Sequence, residues 1–426
     1  MSGIGIVLIA LFLVLVMFKV PVAISLLVPS LMYLILFGFS PGVIADRLVG
    51  TLFQFSVLAV PLFIYVGALM NESGIADKIF TFTQSLIGHF RGGLAYTNVL
   101  ASLLFSGMSG SAIADIGGIG KVLIGTMDDH GYDSEYSAGL TAASATVGPI
   151  FPPSIPLIIY GLLAQVSVLS LLLAGALPAL LLTVMLLIIT AIQAQRGKFP
   201  EPDERADTRK VVRTFVIALP ALLAPVILIG GMLFGYFSPT EVAAVTAVYM
   251  LGINIVFYGD ISIRVAWDAA VESARLTSDV LFIVGAAGLF TWVLTREGII
   301  GAMGEFLMSF STSTLMLLLM VNILLLVLGM FIDPLAALVL AIPMVVPPLV
   351  EAGLDPIHIG VIMVFNLMIG MLTPPLGISL FVASGISNQP VSKIIRELAP
   401  FYVGLLIALL IVTFVPWFSL WLPGLA

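Results

Sequence analysis

Apolar runs of about twenty residues follow one another along the whole chain, separated by short polar turns. The pattern predicts full membrane spans at roughly 3–18, 21–38, 57–70, 134–165, 168–194, 213–235, 240–258, 279–295, 356–386 and 398–422. Two further apolar regions, 92–126 and 314–348, do not fit as single spans. Each divides into two runs of about fifteen residues around a turn rich in Gly, Ser, Asp or Pro. A fifteen-residue helix rises about 22 Å, short of the ~30 Å hydrocarbon core. Each region therefore predicts a re-entrant helical hairpin with its polar tip near the midplane. The weak ten-residue alternation of a membrane β-barrel is absent.

A stretch of about seventy residues occurs twice, at a constant offset of 222. Gly107-Met108 returns as Gly329-Met330, and Gly131-Tyr132-Asp133 as Gly353-Leu354-Asp355. Gly148 returns as Gly370, Pro152-Pro153 as Pro374-Pro375, and Pro178 as Pro400. The prediction is an all-α polytopic membrane protein made of two repeats, 1–194 and 213–426, joined by a polar linker at 195–212. Each repeat has five spans, one of them broken, and one re-entrant hairpin. Five is odd, so the second repeat is inverted in the membrane. Paired breaks in inverted repeats are the mark of a secondary transporter and point to its binding site.

Composition agrees. Sixty-one percent of residues are hydrophobic and 9% charged, against roughly 25% charged in a soluble domain. With the N-terminus outside and each hairpin entering and leaving on one side, all 16 Lys and Arg except Arg47 and Arg296 fall inside. Both termini are then periplasmic. The first apolar run has no basic n-region and no A-x-A site, so it is expected to be a retained span. There is no cysteine, which removes disulfides and thiolate chemistry. A net charge of −7 says little, and no nucleic-acid partner is expected.

The chemistry gathers at four breaks. The first tip reads Ser106-Gly107-Met108-Ser109-Gly110-Ser111 and the second Gly329-Met330-Phe331-Ile332-Asp333-Pro334. The broken spans carry Gly148-Pro149-Ile150-Phe151-Pro152-Pro153-Ser154 and Gly370-Met371-Leu372-Thr373-Pro374-Pro375. Proline after glycine unwinds a helix and frees carbonyl oxygens, which at membrane depth must be buried in protein, meet water or bind a cation. Ser106, Ser109, Ser111, Thr373 and Asp333 add side-chain oxygens. An oxygen-only donor set suits a hard cation. The expectation is sodium, at two sites or more, with no transition metal and no organic cofactor. The offset aligns Asp333 with Ser111. Asp115, one turn past the first tip, is a ligand or coupling candidate. Substrate is expected between the tips, within reach of Ser109, Asp115, Ser154 and Pro375. Helix N-termini there would favour carboxylates.

Gly107-Met108-Ser109-Gly110 also reads G-x-S-G, as around the serine of rhomboid proteases. A serine nucleophile needs a histidine in reach. His89, His130 and His358 are all expected near a membrane surface, and the second repeat drops the serine. No H-E-x-x-H or G-x-x-x-x-G-K-[ST] occurs. An enzyme is not expected.

Gly235-Tyr236-Phe237-Ser238-Pro239-Thr240-Glu241-Val242-Ala243-Ala244-Val245 resembles the G-x-x-[TS]-P-T-E-A-A-A-V signature of the large DctM-type subunit of tripartite ATP-independent periplasmic (TRAP) transporters. The Gly148–Ser154 and Gly370–Val382 breaks and the Gly329–Pro343 hairpin resemble it too; Val242 replaces the commoner Ala. The resemblance implies sodium-driven import of a small organic acid or related solute across a bacterial inner membrane. It implies two partners besides the lipid bilayer: a periplasmic substrate-binding protein and a small four-span DctQ-type subunit, here not fused. It implies an elevator-type ion-transporter architecture, with a transport domain near 75–165 plus 297–386. It places one sodium site on Ser106, Ser109, Ser111, Gly148 and Pro149, and another on Gly329, Asp333, Gly370 and Thr373. Glu241 reads as structural, bonding a helix start. The alternatives are a stand-alone sodium- or proton-coupled carboxylate symporter or antiporter of related fold, and a channel.

Overall fold

The computed structural model describes residues 3–200, 206–259, 262–310 and 313–425. Among the described residues there is no strand. Among the described residues, eight helical segments are long and apolar enough to cross a membrane.

The chain opens with α1 (Gly3–Met17), α2 (Val22–Leu36) and α3 (Pro41–Gly50). Ser40 caps α3, accepting from Gly42 N at 3.3 Å. After α4 (Ala59–Glu72) comes α5 (Ile75–Ile87), an amphipathic helix that a search for apolar spans passes over. The first predicted hairpin is α6 (Gly93–Ser109), then α7 (Ala112–Gly117) and α8 (Ile119–Asp129). The first broken span is α9 (Ser134–Ala145) and α10 (Ile155–Ala164), followed by α11 (Val168–Gln195).

The second half runs α12 (Thr208–Leu233), α13 (Pro239–Ile253), α14 (Ile263–Arg296) and α15 (Ile299–Phe310). The second hairpin is α16 (Thr314–Phe331) and α17 (Pro334–Glu351). The second broken span is α18 (Pro356–Gly370) and α19 (Ile378–Ser387), followed by α20 (Val391–Phe414) and α21 (Trp417–Leu420). Shifted by 222, the starts of α6, α9, α10 and α11 fall within one residue of those of α16, α18, α19 and α20.

Helix packing is reciprocal between the halves. α2 lies on α14 and α13 on α4; α9 on α20 and α18 on α11; α10 on α17 and α19 on α7. α9 is rich in Ala, Ser, Gly and Thr, and every residue from Tyr136 to Ala145 is buried. Small side chains let backbones approach where lipid gives no hydrophobic drive.

Some boundaries differ from the apolar pattern. The span expected at 279–295 is the second half of α14, an unbroken helix of 34 residues. Its first half carries Arg264, Asp268, Glu272, Arg275 and Asp279 at helical spacing, which hid it from a hydropathy window. The span expected at 398–422 starts earlier, at Val391, and ends before Pro416. Each arm of the second hairpin has 18 residues rather than about fifteen. Length alone would let such an arm cross, so it does not decide re-entrance. In the linker, Glu201 to Arg205 lie outside the described residues. The linker's start is not free: Phe199 is buried against Tyr132 and Tyr136, and Lys198 pairs with Glu397.

The Gly235–Val245 motif starts α13 with a reciprocal cap. Glu241 N donates to Ser238 Oγ at 3.3 Å, and Ser238 N donates to Glu241 Oε2 at 2.8 Å. Such a cap satisfies two free N–H groups of the first turn, and it accounts for Glu241 as a structural residue.

Candidate ion and substrate site at the two hairpin tips

α6 ends where Gly110 turns the chain at φ +64°, a conformation that favours glycine. A Cβ on Gly110 would lie 2.4 Å from the Pro153 carbonyl oxygen, so the tip rests directly on the break between α9 and α10. Ser111 then caps α7, accepting from Ala114 N at 3.4 Å. This short helix turns Asp115 back towards the tip. Ser109 Oγ donates to Asp115 Oδ1. Ser106 Oγ donates to the Ser102 carbonyl at 2.6 Å and lies 3.5 Å from Asp115 Oδ2. Gly148 closes the other side: a Cβ there would sit 2.4 Å from Asp115 Oδ2.

Ser106, Ser109 and Asp115 are each at most 3% exposed. No Lys, Arg or His among the described residues pairs with Asp115. The structure thus joins Asp115, expected on the substrate side, to Ser106, Ser109 and Gly148. A buried carboxylate facing hydroxyl and carbonyl oxygens is unfavourable unless a proton or a cation joins it.

Ser154, expected within reach of substrate, serves its own helix. It is fully buried, its hydroxyl donates to the Pro149 carbonyl, and its Oγ accepts from Leu157 N at 3.1 Å to cap α10. Ser109 has a carboxylate beside it rather than a histidine. His130 bonds the Thr126 carbonyl, and His358 the Thr413 carbonyl. His358 is also 1% exposed.

The second tip repeats the backbone plan. Asp333 caps α17, its Oδ1 accepting from Leu335 N at 3.0 Å and Ala336 N at 3.4 Å. Ser111, its aligned position, does the same for α7. Gly329 and Gly370 touch: a Cβ on Gly370 would lie 2.7 Å from Gly329 Cα. Leu376 N donates to the Met330 carbonyl at 3.3 Å, tying this tip to its break. Thr373 Oγ1 donates to the Ile369 carbonyl at 2.8 Å. Asp333 and Thr373 are half-buried and Pro375 is exposed. Both breaks contain a cis bond, Pro152-Pro153 and Pro374-Pro375.

Behind each tip lies a polar network that the sequence reading missed. Asn98 donates to Thr141 at 2.7 Å, Ser144 to Asn98 at 2.9 Å, and Ser102 and Ser144 bond at 2.9 Å. In the second half Asn366 donates to Asn322 at 2.7 Å, and Asn322 to Thr413 at 3.2 Å. Asn366 stands at the position of Ser144 shifted by 222. The signal was present: Asn98, Ser102 and Ser106 recur every fourth residue along α6.

Residues 9–418 match the family model described as "Tripartite ATP-independent periplasmic transporter, DctM component". The chain belongs to the DctM family. It is 41% identical over 408 residues to the sialic acid TRAP transporter large permease protein SiaM of Vibrio cholerae, covering 95% of both chains. It is 38% identical over 389 residues to the C4-dicarboxylate TRAP transporter large permease protein DctM of Pseudomonas aeruginosa, covering 91% of each. It is 38% identical to the sialic acid permease SiaT of Haemophilus influenzae, covering 95% of this chain and 66% of that one. In fold it is similar to the YdaH transporter of Alcanivorax borkumensis, with a TM-score of 0.63, 14% identity and 87% of each chain covered. These DctM-family relatives are transport permeases, not enzymes, so the DctM-type chain is a multi-pass TRAP large permease.

Proposed function

We propose that this chain is the large permease subunit of a sodium-coupled importer of a small organic acid or related solute. The observation that carries the coupling is Asp115: a buried carboxylate among hydroxyl and carbonyl oxygens with no cationic side chain paired to it among the described residues. Ser106, Ser109, Asp115 and the Gly148–Pro149 backbone would hold one sodium ion. Gly329, Asp333, Gly370 and Thr373 would hold the second, with Ser111 a capping neighbour of the first. Sodium supplies the positive charge that Asp115 lacks and that an anionic substrate needs. The names of the relatives, sialic acid and C4-dicarboxylate permeases, favour a carboxylate substrate. Ser109, Asp115 and Pro375 lie on its expected path between the tips.

Inverted repeats account for the reciprocal packing, since a two-fold axis in the membrane plane exchanges α2 on α14 for α13 on α4. Each hairpin tip touches the break of a two-part span, and a tip at that depth stops halfway across. The moving unit of an elevator would then include α11 and α20 as well as 75–165 and 297–386, because both pack on the broken spans of the other half. The termini face the periplasm, and a small four-span subunit and a periplasmic binding protein complete the transporter.

Reconstitution tests this reading. Uptake into proteoliposomes should require an inward sodium gradient, the small subunit and a binding protein. Asp115 also supports a second reading, in which a proton takes the place of sodium. Uptake by this chain alone, driven by a pH gradient without sodium, would establish that reading and overturn the first.

A further inference from the structure

At the base of the first hairpin, the surface beside the end of α11 opens into a cavity of about 770 Å³. That size lies within the roughly 300–1,000 Å³ range of ligand pockets. Tyr96 and Leu100 of α6 form one wall, and Leu187, Ile188 and Ala191 of α11 the other. Arg91, from the turn before α6, stands at its mouth. From Tyr96 to Leu100 the groove follows α6 for about one turn, about 6 Å along the axis.

The cavity opens towards lipid. Leu180, Val184, Ile188 and Ile192 form a stripe along α11 at every fourth residue, each 41–48% exposed. Ile188 belongs both to that stripe and to the cavity wall. The mouth is cationic. Arg91 is exposed, with its Nη2 3.5 Å from the place a Cβ on Gly197 would take, beside Arg196. Neither arginine forms an ion pair with a carboxylate among the described residues, whereas nearby Lys198 is paired with Glu397.

A small soluble anion would gain nothing from the apolar walls. A plain hydrocarbon would leave the guanidinium without a counter-charge. An amphiphile satisfies both ends, as basic pockets between helices at the inner face do for lipid headgroups. We infer that this cavity binds an anionic glycerophospholipid of the inner leaflet. Its phosphate meets Arg91 and one acyl chain lies between α6 and α11. The lipid then braces the hairpin arm that carries Ser106 and Ser109. The inference does not depend on which ion drives transport.

Native mass spectrometry of the full chain in detergent tests it, with phosphatidylglycerol and phosphatidylethanolamine titrated separately. Wild type should retain phosphatidylglycerol about fivefold more tightly, the factor one basic residue gives at an anionic headgroup. Arg91→Ala should remove that preference, and Ala191→Phe, which fills the groove, should weaken both lipids. If Arg91→Ala does not fold, Ala191→Phe still decides. Equal retention of the two lipids by wild type, or unchanged phosphatidylglycerol binding in the variants, overturns the inference. So does displacement of the lipid by millimolar glycerol phosphate, which would make this a soluble-anion site.

Discussion

Ser111 and Asp333 occupy the same step of the two hairpins and do the same local work, each capping the helix that leaves the tip. The two tips differ in where the carboxylate sits. In the first half it is moved one turn on, to Asp115, and sealed between Ser106, Ser109 and Gly148. In the second half it is the cap itself, half-buried, with one oxygen already bonded to Leu335 and Ala336. The first tip therefore holds its carboxyl group in a closed cage. The second sets its own at a helix start and adds the free carbonyls of an open break. On the function proposed above, one backbone plan would support a side-chain-centred cation site and a backbone-centred one.

The largest test of that contrast is Asp115→Ala against Asp333→Ala. Loss of Asp115 should lower sodium-driven uptake by about 100-fold or more, and loss of Asp333 by about tenfold, as expected when a functional carboxylate at membrane depth is removed. Equal losses in the same proteoliposome assay would erase the distinction. Next come the glycines. Gly370→Ala forces backbone from backbone at Gly329 and should destabilise by about 1–3 kcal/mol, read as a fall in the melting temperature of purified protein. Gly148→Ala meets a movable carboxylate instead. It should weaken sodium affinity about tenfold, with a smaller change in melting temperature, because the cost falls on the contact with Asp115.

A smaller effect separates capping from coupling at Asp333. Asparagine keeps the cap, so Asp333→Asn should hold wild-type stability while its sodium dependence weakens; alanine should add a stability loss of about 1 kcal/mol. The smallest change is Ser154→Ala. It should cost about 1 kcal/mol through the cap of α10 and leave substrate KM as in wild type. A raised KM would return Ser154 to the substrate path.

The helix breaks were legible because Gly and Pro interrupt otherwise continuous apolar runs. The cap at Ser238 and Glu241 was legible because capping is local. Asp115 was visible only as an expensive residue. Its partners depend on a six-residue helix turning back on the tip, which spacing alone does not specify. Asn98, Ser102, Thr141 and Ser144 were passed over for a similar reason: in a buried helix, polarity has meaning only once the facing helix is known. The capping role of Ser154 was not read because a cap and a ligand call for the same hydroxyl. α5 and the first half of α14 escaped because their polar faces lower the mean hydropathy of any window.

At 1.5 Å per residue the 34 residues of α14 extend about 51 Å, well beyond a ~30 Å hydrocarbon core. The counterpart of this helix in the first half is interrupted between α3 and α4, and α14 is not. Its charged first half leaves Trp267 68% exposed and packs on α4, with Tyr65 donating to the Ala266 carbonyl and Ser273 to the Pro61 carbonyl. The rod is stiff, so a thicker or thinner bilayer must change its tilt. Transport rate should then vary with the acyl-chain length of the host lipid, even when headgroup and ion gradient are held constant.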